Sequence, residues 1–180
     1  MARTGVYGIH SIKFADTPSN GVFPTDWTGF EMKAIVKDSF SFNDTTPSET
    51  NIEVEDMDEN YATLESDKGS SGFTVQTYDM SEEAYKYFLG YSNGKDSNAG
   101  YLVETPGWEL GNKAVQITTR KFGDFPAKVF EWASMRIAVT RTGTIGKSGF
   151  PNLNLAFTKQ AFTDSDGKEV GGARWKVLEE

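Results

Sequence analysis

His10 is the only histidine in the chain, and there is no cysteine. A transition-metal site assembles three or four His, Cys or carboxylate donors, and no second His or Cys stands ready to complete one around His10. A Ser–His–acid triad would have to use this same imidazole, and no serine lies in a G-x-S-x-G elbow. Zero Cys also removes disulfides, thiolate metal sites and thiol nucleophiles. The simpler reading of His10 is a strand residue with a satisfied ring.

The acids offer more material. Asp56-x-Asp58-x-Asn60 opens like a calcium loop, but its sixth position is Tyr61 where the sharp turn needs Gly, and its twelfth is Asp67 in place of Glu. Asp164-x-Asp166-Gly167 begins in the same way and continues with Lys168. Both read as turns in which Asp side chains accept local backbone N–H groups, with a weak cation site as the sharper alternative. With 26 acids, a carboxylate pair for glycoside hydrolysis is easy to find and spacing selects none. Trp27, Trp108, Trp132 and Trp175 could stack on sugars, although large aromatics in a β domain are more often core. The sequence therefore predicts no catalytic residue, no metal ligand and no cofactor. A carbohydrate-binding or adhesion β-sandwich is kept as an alternative function, and a carboxylate-dependent hydrolase as the last.

The elements that would position these groups are mostly strands. Val6–Phe14, Phe30–Phe42, Thr50–Glu55, Ser71–Tyr78, Tyr101–Glu104, Ala114–Arg120, Lys128–Thr140, Leu153–Phe162 and Arg174–Leu178 carry β-branched and aromatic residues, in places with period-2 alternation. Tyr61–Leu64 continues the Thr50–Glu55 hairpin after an acidic turn. Asn43–Glu49 and Tyr91–Gly100 read as flexible loops, and the N-terminus as a flexible arm. One helix is predicted over Ser81–Leu89. Ser81 is its N-cap, Glu82 and Glu83 suit the positive end of the dipole, and Gly90 sits at C′. Ala84, Tyr85, Phe88 and Leu89 form its apolar stripe. A helix of about nine residues is too short to stand alone, so it must lie on the sheet. The 180 residues, 37% hydrophobic with 13 Phe, suffice for one core and predict a single domain over residues 1–180. The expected fold is an antiparallel β-sandwich or partly closed barrel with one short flanking helix.

Charge narrows the partners. A net charge of −8 argues against binding nucleic acid by phosphate neutralisation and against docking on an anionic membrane. No apolar run approaches the length of a membrane-spanning helix, and Met1–Tyr7 lacks the apolar stretch of a signal peptide, which predicts a cytoplasmic start. The layout is segregated. From Ser39 to Asp67 there are nine acids (Asp44, Glu49, Glu53, Glu55, Asp56, Asp58, Glu59, Glu65, Asp67) and no Lys or Arg. From Lys113 to Lys147 there are seven basic residues against Asp124 and Glu131. Two solvated faces of one domain would explain this. The sharper expectation is a head-to-tail contact between subunits, with Glu53, Glu55, Asp56, Asp58 and Glu59 facing Arg120, Lys121, Arg136 and Arg141.

Phe40–Tyr91 runs as strand, polar loop, I-E-V-E strand, acidic turn, G-F-T-V-Q-T-Y strand and then D-M-S-E-E-A-Y-K-Y-F-L-G. That last stretch, Asp79–Gly90, resembles the strand-to-helix passage of the major tail tube proteins of long-tailed bacteriophages. Val129–Thr158, with its T-R-T-G-T-I-G-K-S-G turn and N-L-N-L-A-F-T strand, is similar to the closing hairpin of that family. The resemblance spans about two-thirds of the chain in element order and Asp79–Gly90 in residue detail. It implies a non-enzymatic structural subunit that stacks as hexameric rings into a tube, a conduit for DNA that passes without specific binding. It also implies a place in the virion tail after assembly in the host cytoplasm. Tape-measure, tail terminator, baseplate and sheath proteins are the implied further partners. Related subunits occur in contractile injection and type VI secretion systems. An acidic wall would suit such a conduit by repelling phosphates.

Overall fold

A computed structural model describes residues 7–53, 55, 62–67, 69–147 and 149–178. Within them the chain is mostly β, antiparallel throughout, with one short α-helix. The strands are β1 (Tyr7–Asp16), β2 (Phe30–Met32), β3 (Ser41–Phe42), β4 (Ser48–Ile52), β5 (Ala62–Asp67), β6 (Gly72–Thr77), β7 (Tyr91–Asn93), β8 (Leu102–Glu104), β9 (Asn112–Arg120), β10 (Lys128–Thr142), β11 (Asn152–Lys159) and β12 (Ala173–Val177). The helix α1 spans Glu82–Leu89. The principal sheet runs β2-β1-β9-β10-β11-β6-β3, with β12 added beside β10; β4 and β5 form one separate hairpin and β7 and β8 another.

The fifteen-residue β10 holds this sheet together. One of its edges pairs with β9 from Val129 to Arg136. Its other edge is divided: β12 takes Lys128–Trp132 and β11 takes Met135–Thr142. A β-bulge between Trp132 and Met135 marks the division. Below it Phe130 and Trp132 point into the core; above it Met135 and Ile137 do. The bulge thus shifts the side-chain parity by one residue and keeps a single apolar face through a bend. Its backbone is satisfied by the segment joining β11 to β12, since Ala133 N–H donates to Gly172 C=O at 2.9 Å and Gln160 N–H to Ser134 C=O at 3.0 Å.

The sheet curls around its core without closing. Phe14 on β1 and Phe157 on β11 lie three strands apart, about 14 Å in a flat sheet, yet their ring centroids are 6.1 Å apart. Cross-strand pairs Ile12↔Ile117, Phe14↔Val115, Phe73↔Phe157 and Val75↔Leu155 fill the inside of the curl. This is the sandwich-like, mostly β architecture the pattern predicts, with an open sheet in place of a closed barrel.

The helix covers the core as its stripe requires. Ser81 Oγ accepts from Ala84 N–H, and Gly90, left-handed with φ 68°, donates its N–H to Tyr85 C=O. Ala84 and Phe88 are buried, and Phe88 meets Phe14 and Phe30 edge-on at 5.5 and 5.1 Å. The other two members of the predicted set differ from each other. Leu89 is half-buried against the core, whereas Tyr85 turns to Tyr91 on β7, edge-on at 5.3 Å. The aromatic that joins the core in its place is Tyr87, stacked on Phe30 at 4.4 Å.

Other boundaries also need correction. Phe30–Phe42 is two short strands, not one. Ala34 and Asp38 take positive φ of 49° and 58°, the ladder is reduced there to a single bridge at Ile35↔Thr77, and Lys33–Phe40 becomes a strap across the sheet end. The strap is tied to β6 by Thr77 Oγ1 donating to Lys33 C=O at 2.5 Å, by Val36 N–H to Gln76 C=O, and by Tyr78 N–H to Ala34 C=O. Tyr91–Gly100 begins with a strand: Tyr91–Asn93 pairs with β8 around a 3₁₀ turn at Asp96–Asn98. Thr105 N–H donates to Gly90 C=O, which fixes this hairpin to the helix end.

Phe88→Ala is expected to lower unfolding free energy by about 3–5 kcal/mol, and Tyr85→Ala by roughly 1, as read by chemical denaturation. Equal losses would mean that the helix presents a different face. Burial first, and the Asp16 carboxylate second, raise the Tyr87 phenol above its ordinary range. In the unfolded chain that phenol ionises near its ordinary value of about 10, while in the fold it stays neutral. The contribution is therefore fully present below about pH 10 and declines as pH rises above it. A Tyr87→Phe variant should lose less stability than the parent between neutral pH and the alkaline range.

Candidate assembly surfaces

Groups suited to catalysis are scattered. His10 is exposed on β1, and among the described residues no three His, Asp or Glu side chains stand together to hold a metal ion. The Asp56–Asn60 stretch lies outside the described residues. Asp164 Oδ1 accepts from the N–H groups of Asp166 and Lys168 at 3.0 and 2.9 Å, which is the backbone-bonded turn the sequence suggests. The tryptophans do not form one face. Trp27 is half-buried and Trp108 lies against Gly90, where any side chain would collide with its ring. Trp132, Phe130 and Trp175 do make a stacked row, with centroids 6.3 and 6.4 Å apart.

Glu131, buried on the outer side of the sheet, is fully engaged. Its two carboxylate oxygens accept from Gln116 Nε2 at 2.7 Å and Arg174 Nε at 2.5 Å, and Arg174 also lies 4.2 Å from the Phe23 ring centroid. These contacts clamp β9, β10 and β12 together. Each oxygen accepts one of these bonds, so the carboxylate is held by the three strands it joins.

Three surfaces remain that the fold leaves incompletely covered. The first is the β4–β5 hairpin. All five β4 residues are exposed, including Ile52, and Leu64 on β5 is also exposed. Its base is tied beside the start of β6, by Asn43 N–H to Gly72 C=O and Thr45 N–H to Ser70 C=O. Glu49, Glu53 and Glu55 are exposed along it; Asp56, Asp58 and Glu59 lie outside the described residues.

The second is the tip of the β10–β11 hairpin. Gly143, at φ 86°, makes the turn, and a Cβ there would come within 2.7 Å of Phe150 C=O. The tip presents Ile145, 93% exposed, and Phe150, 75% exposed but edge-on to Tyr78 at 6.3 Å. Arg141 and Lys147 flank it, exposed. They form no ion pair among the described residues, and neither does Arg136, which is exposed midway along β10. From Trp132 to Phe162 the chain has four basic residues (Arg136, Arg141, Lys147, Lys159) and no acid.

The third is a cleft of about 1020 Å³ at the opposite end of the sheet, between the Lys33–Phe40 strap and the lower halves of β1, β9 and β10. Ile9, Phe40, Phe42, Ile117, Phe130 and Trp132 give it an apolar lining, and Phe42 is 59% exposed. The core is thus unfinished at this end. Arg120 lies here, its Nε donating to Ile9 C=O at 3.2 Å, with Lys121 next in the chain. The predicted basic set is therefore divided: Arg120 and Lys121 lie at the cleft, Arg136 sits midway along β10 opposite Thr158, level with the arm's base, and only Arg141 stands at the root of the far tip. Lys33–Phe40 carries a strand-like run of residues, which hides the strap and with it the cleft. The upper outer face of the sheet, with Thr74, Gln76, Thr140, Asn154, Ala156 and Thr158, is polar and carries no acid among the described residues. It does not supply a negative wall.

No protein-family model and no curated protein matches the chain. No helix among the described residues is long and apolar enough to cross a membrane.

Proposed function

We propose that this protein is a non-enzymatic structural subunit that works by self-assembly into rings and tubes, of the kind found in phage tails. The observation that carries the reading is the β4–β5 hairpin. A two-stranded hairpin is marginal in water on its own, and this one is folded with its whole first strand in solvent and Ile52 and Leu64 exposed. Such an arm gains stability by lying on another molecule. The unfinished apolar cleft and the apolar hairpin tip support the same reading, since exposed patches of this kind mark interaction surfaces. The net charge of −8 suits a conduit through which DNA slides without being held. The implied location is the virion tail, and the implied further partners are the tape-measure, terminator, baseplate and sheath proteins.

A second reading has one observation in its favour. The stacked row Trp132–Phe130–Trp175, 62% exposed at Trp175, could hold a sugar face in a carbohydrate-binding module.

Negative-stain electron microscopy and sedimentation at rising concentration distinguish the two. Rings or tubes of uniform bore are expected; a strict monomer that binds glycans would overturn the assembly reading. Replacing residues 46–69 by a short Gly-Ser linker should leave the thermal midpoint within a few degrees of the parent and abolish assembly.

A further inference from the structure

The two apolar surfaces sit at opposite ends of one strand. Phe130, in the cleft, and Thr142, at the root of the tip, are both on β10, about 40 Å apart along it at the rise of a β-strand. A surface at one end that matches a surface at the other cannot be satisfied within the molecule. It is satisfied by a second copy in head-to-tail order, and such a contact propagates.

Charge supports this pairing and sets its direction. The arm leaves the body through Phe42, which lines the cleft, so acidic arm and cleft share one end. Residues 39–67 carry nine acids and no base; residues 132–162 carry four bases and no acid, of which Arg141 and Lys147 belong to the tip while Arg136 and Lys159 lie at the Thr158 end of β11. The acidic arm's base lies beside Gly72 and Thr158, whereas the basic tip follows Thr142 at the other end of β11. The tip thus offers its apolar element with Arg141 and Lys147 and no acid in the segment, whereas the cleft is lined by both signs, Glu31 and Asp38 with Lys33, Lys37 and Arg120, and the opposite charge at that end is the arm's alone.

We propose that the Gly143–Phe150 tip of one copy seats Ile145 and Phe150 in the cleft of the next, where Phe40, Phe42, Phe130 and Trp132 receive them. The receiving copy's arm closes over the inserted hairpin, with Glu49, Glu53 and Glu55 facing Arg141 and Lys147. The inference rests on the self-assembly reading and names the two surfaces that perform it. It replaces Arg120 and Lys121, which stand at the acidic arm's own end, by Lys147 as the partner of the acids.

Charge reversal tests it. One variant carries Arg141→Glu and Lys147→Glu; the other carries Glu49→Lys, Glu53→Lys and Glu55→Lys. All five side chains are exposed, so circular dichroism and melting should match the parent. Each variant alone places like charges at every junction and should raise the concentration for half-assembly by about tenfold or more. An equimolar mixture should restore assembly, because alternating copies make every junction either native or doubly reversed. Ile145→Ser should weaken assembly without changing the melting of the monomer. Variants that assemble alone like the parent, or a mixture that stays unassembled, would overturn the inference while leaving self-assembly intact. A parent protein that is monomeric at all concentrations would overturn both.

Discussion

A sheet that turns around its own core must keep its apolar residues inside while its hydrogen-bond ladder bends, and a regular strand cannot do both. In this protein the conflict is resolved at Trp132–Met135, where β10 gains a bulge and its inward-facing set changes from even to odd positions. Everything on either side depends on that step. It allows β12 and β11 to share one edge of the same strand, brings Phe14 within ring contact of Phe157, and leaves room for Ala84 and Phe88 of the helix over the open side of the curl. The Gln160–Gly172 segment satisfies the exposed backbone of the bulge, so the connection from β11 to β12 is itself part of the bend.

The features that sequence reveals best are those governed by near neighbours. Ser81, Glu82 and Gly90 announce the helix because capping and dipole chemistry act within one turn, and β6 is legible because Phe73 and Val75 alternate with Thr74 and Gln76 on a sheet with one wet face. What escapes is set at long range. The interruption of Phe30–Phe42 depends on positive φ at Ala34 and Asp38, held by bonds to β6 some forty residues later, and Ala34 gives no local sign of it. Tyr85 and Tyr87 are adjacent types on one short helix; only the position of Phe30 decides that Tyr87 is the one that joins the core. The charge segregation is legible in the order of residues along the chain, but which bases could face the acids is not, because that depends on which end of β9 and β10 each occupies.

That arrangement also explains how opposite charge can persist in one folded chain without collapsing on itself. The acidic arm is anchored at the Thr158 end of β11 and the basic tip extends from its Asn152 end, so the sheet acts as a rigid spacer between them. Beyond a screening length of about 10 Å at ordinary salt, the two fields scarcely interact within a molecule. They would become partners only between molecules, and a contact of that kind would convert an intramolecular separation into directionality.

In a column joined tip to cleft, pulling on the ends would load each subunit along the length of β10 and β11. The hydrogen bonds between these strands run across that direction. Tension would therefore reach them as shear distributed over the eight rungs from Met135↔Lys159 to Thr142↔Asn152, and no single rung would be peeled in turn. The same long strand that organises the core would then serve as the tensile fibre of the assembly.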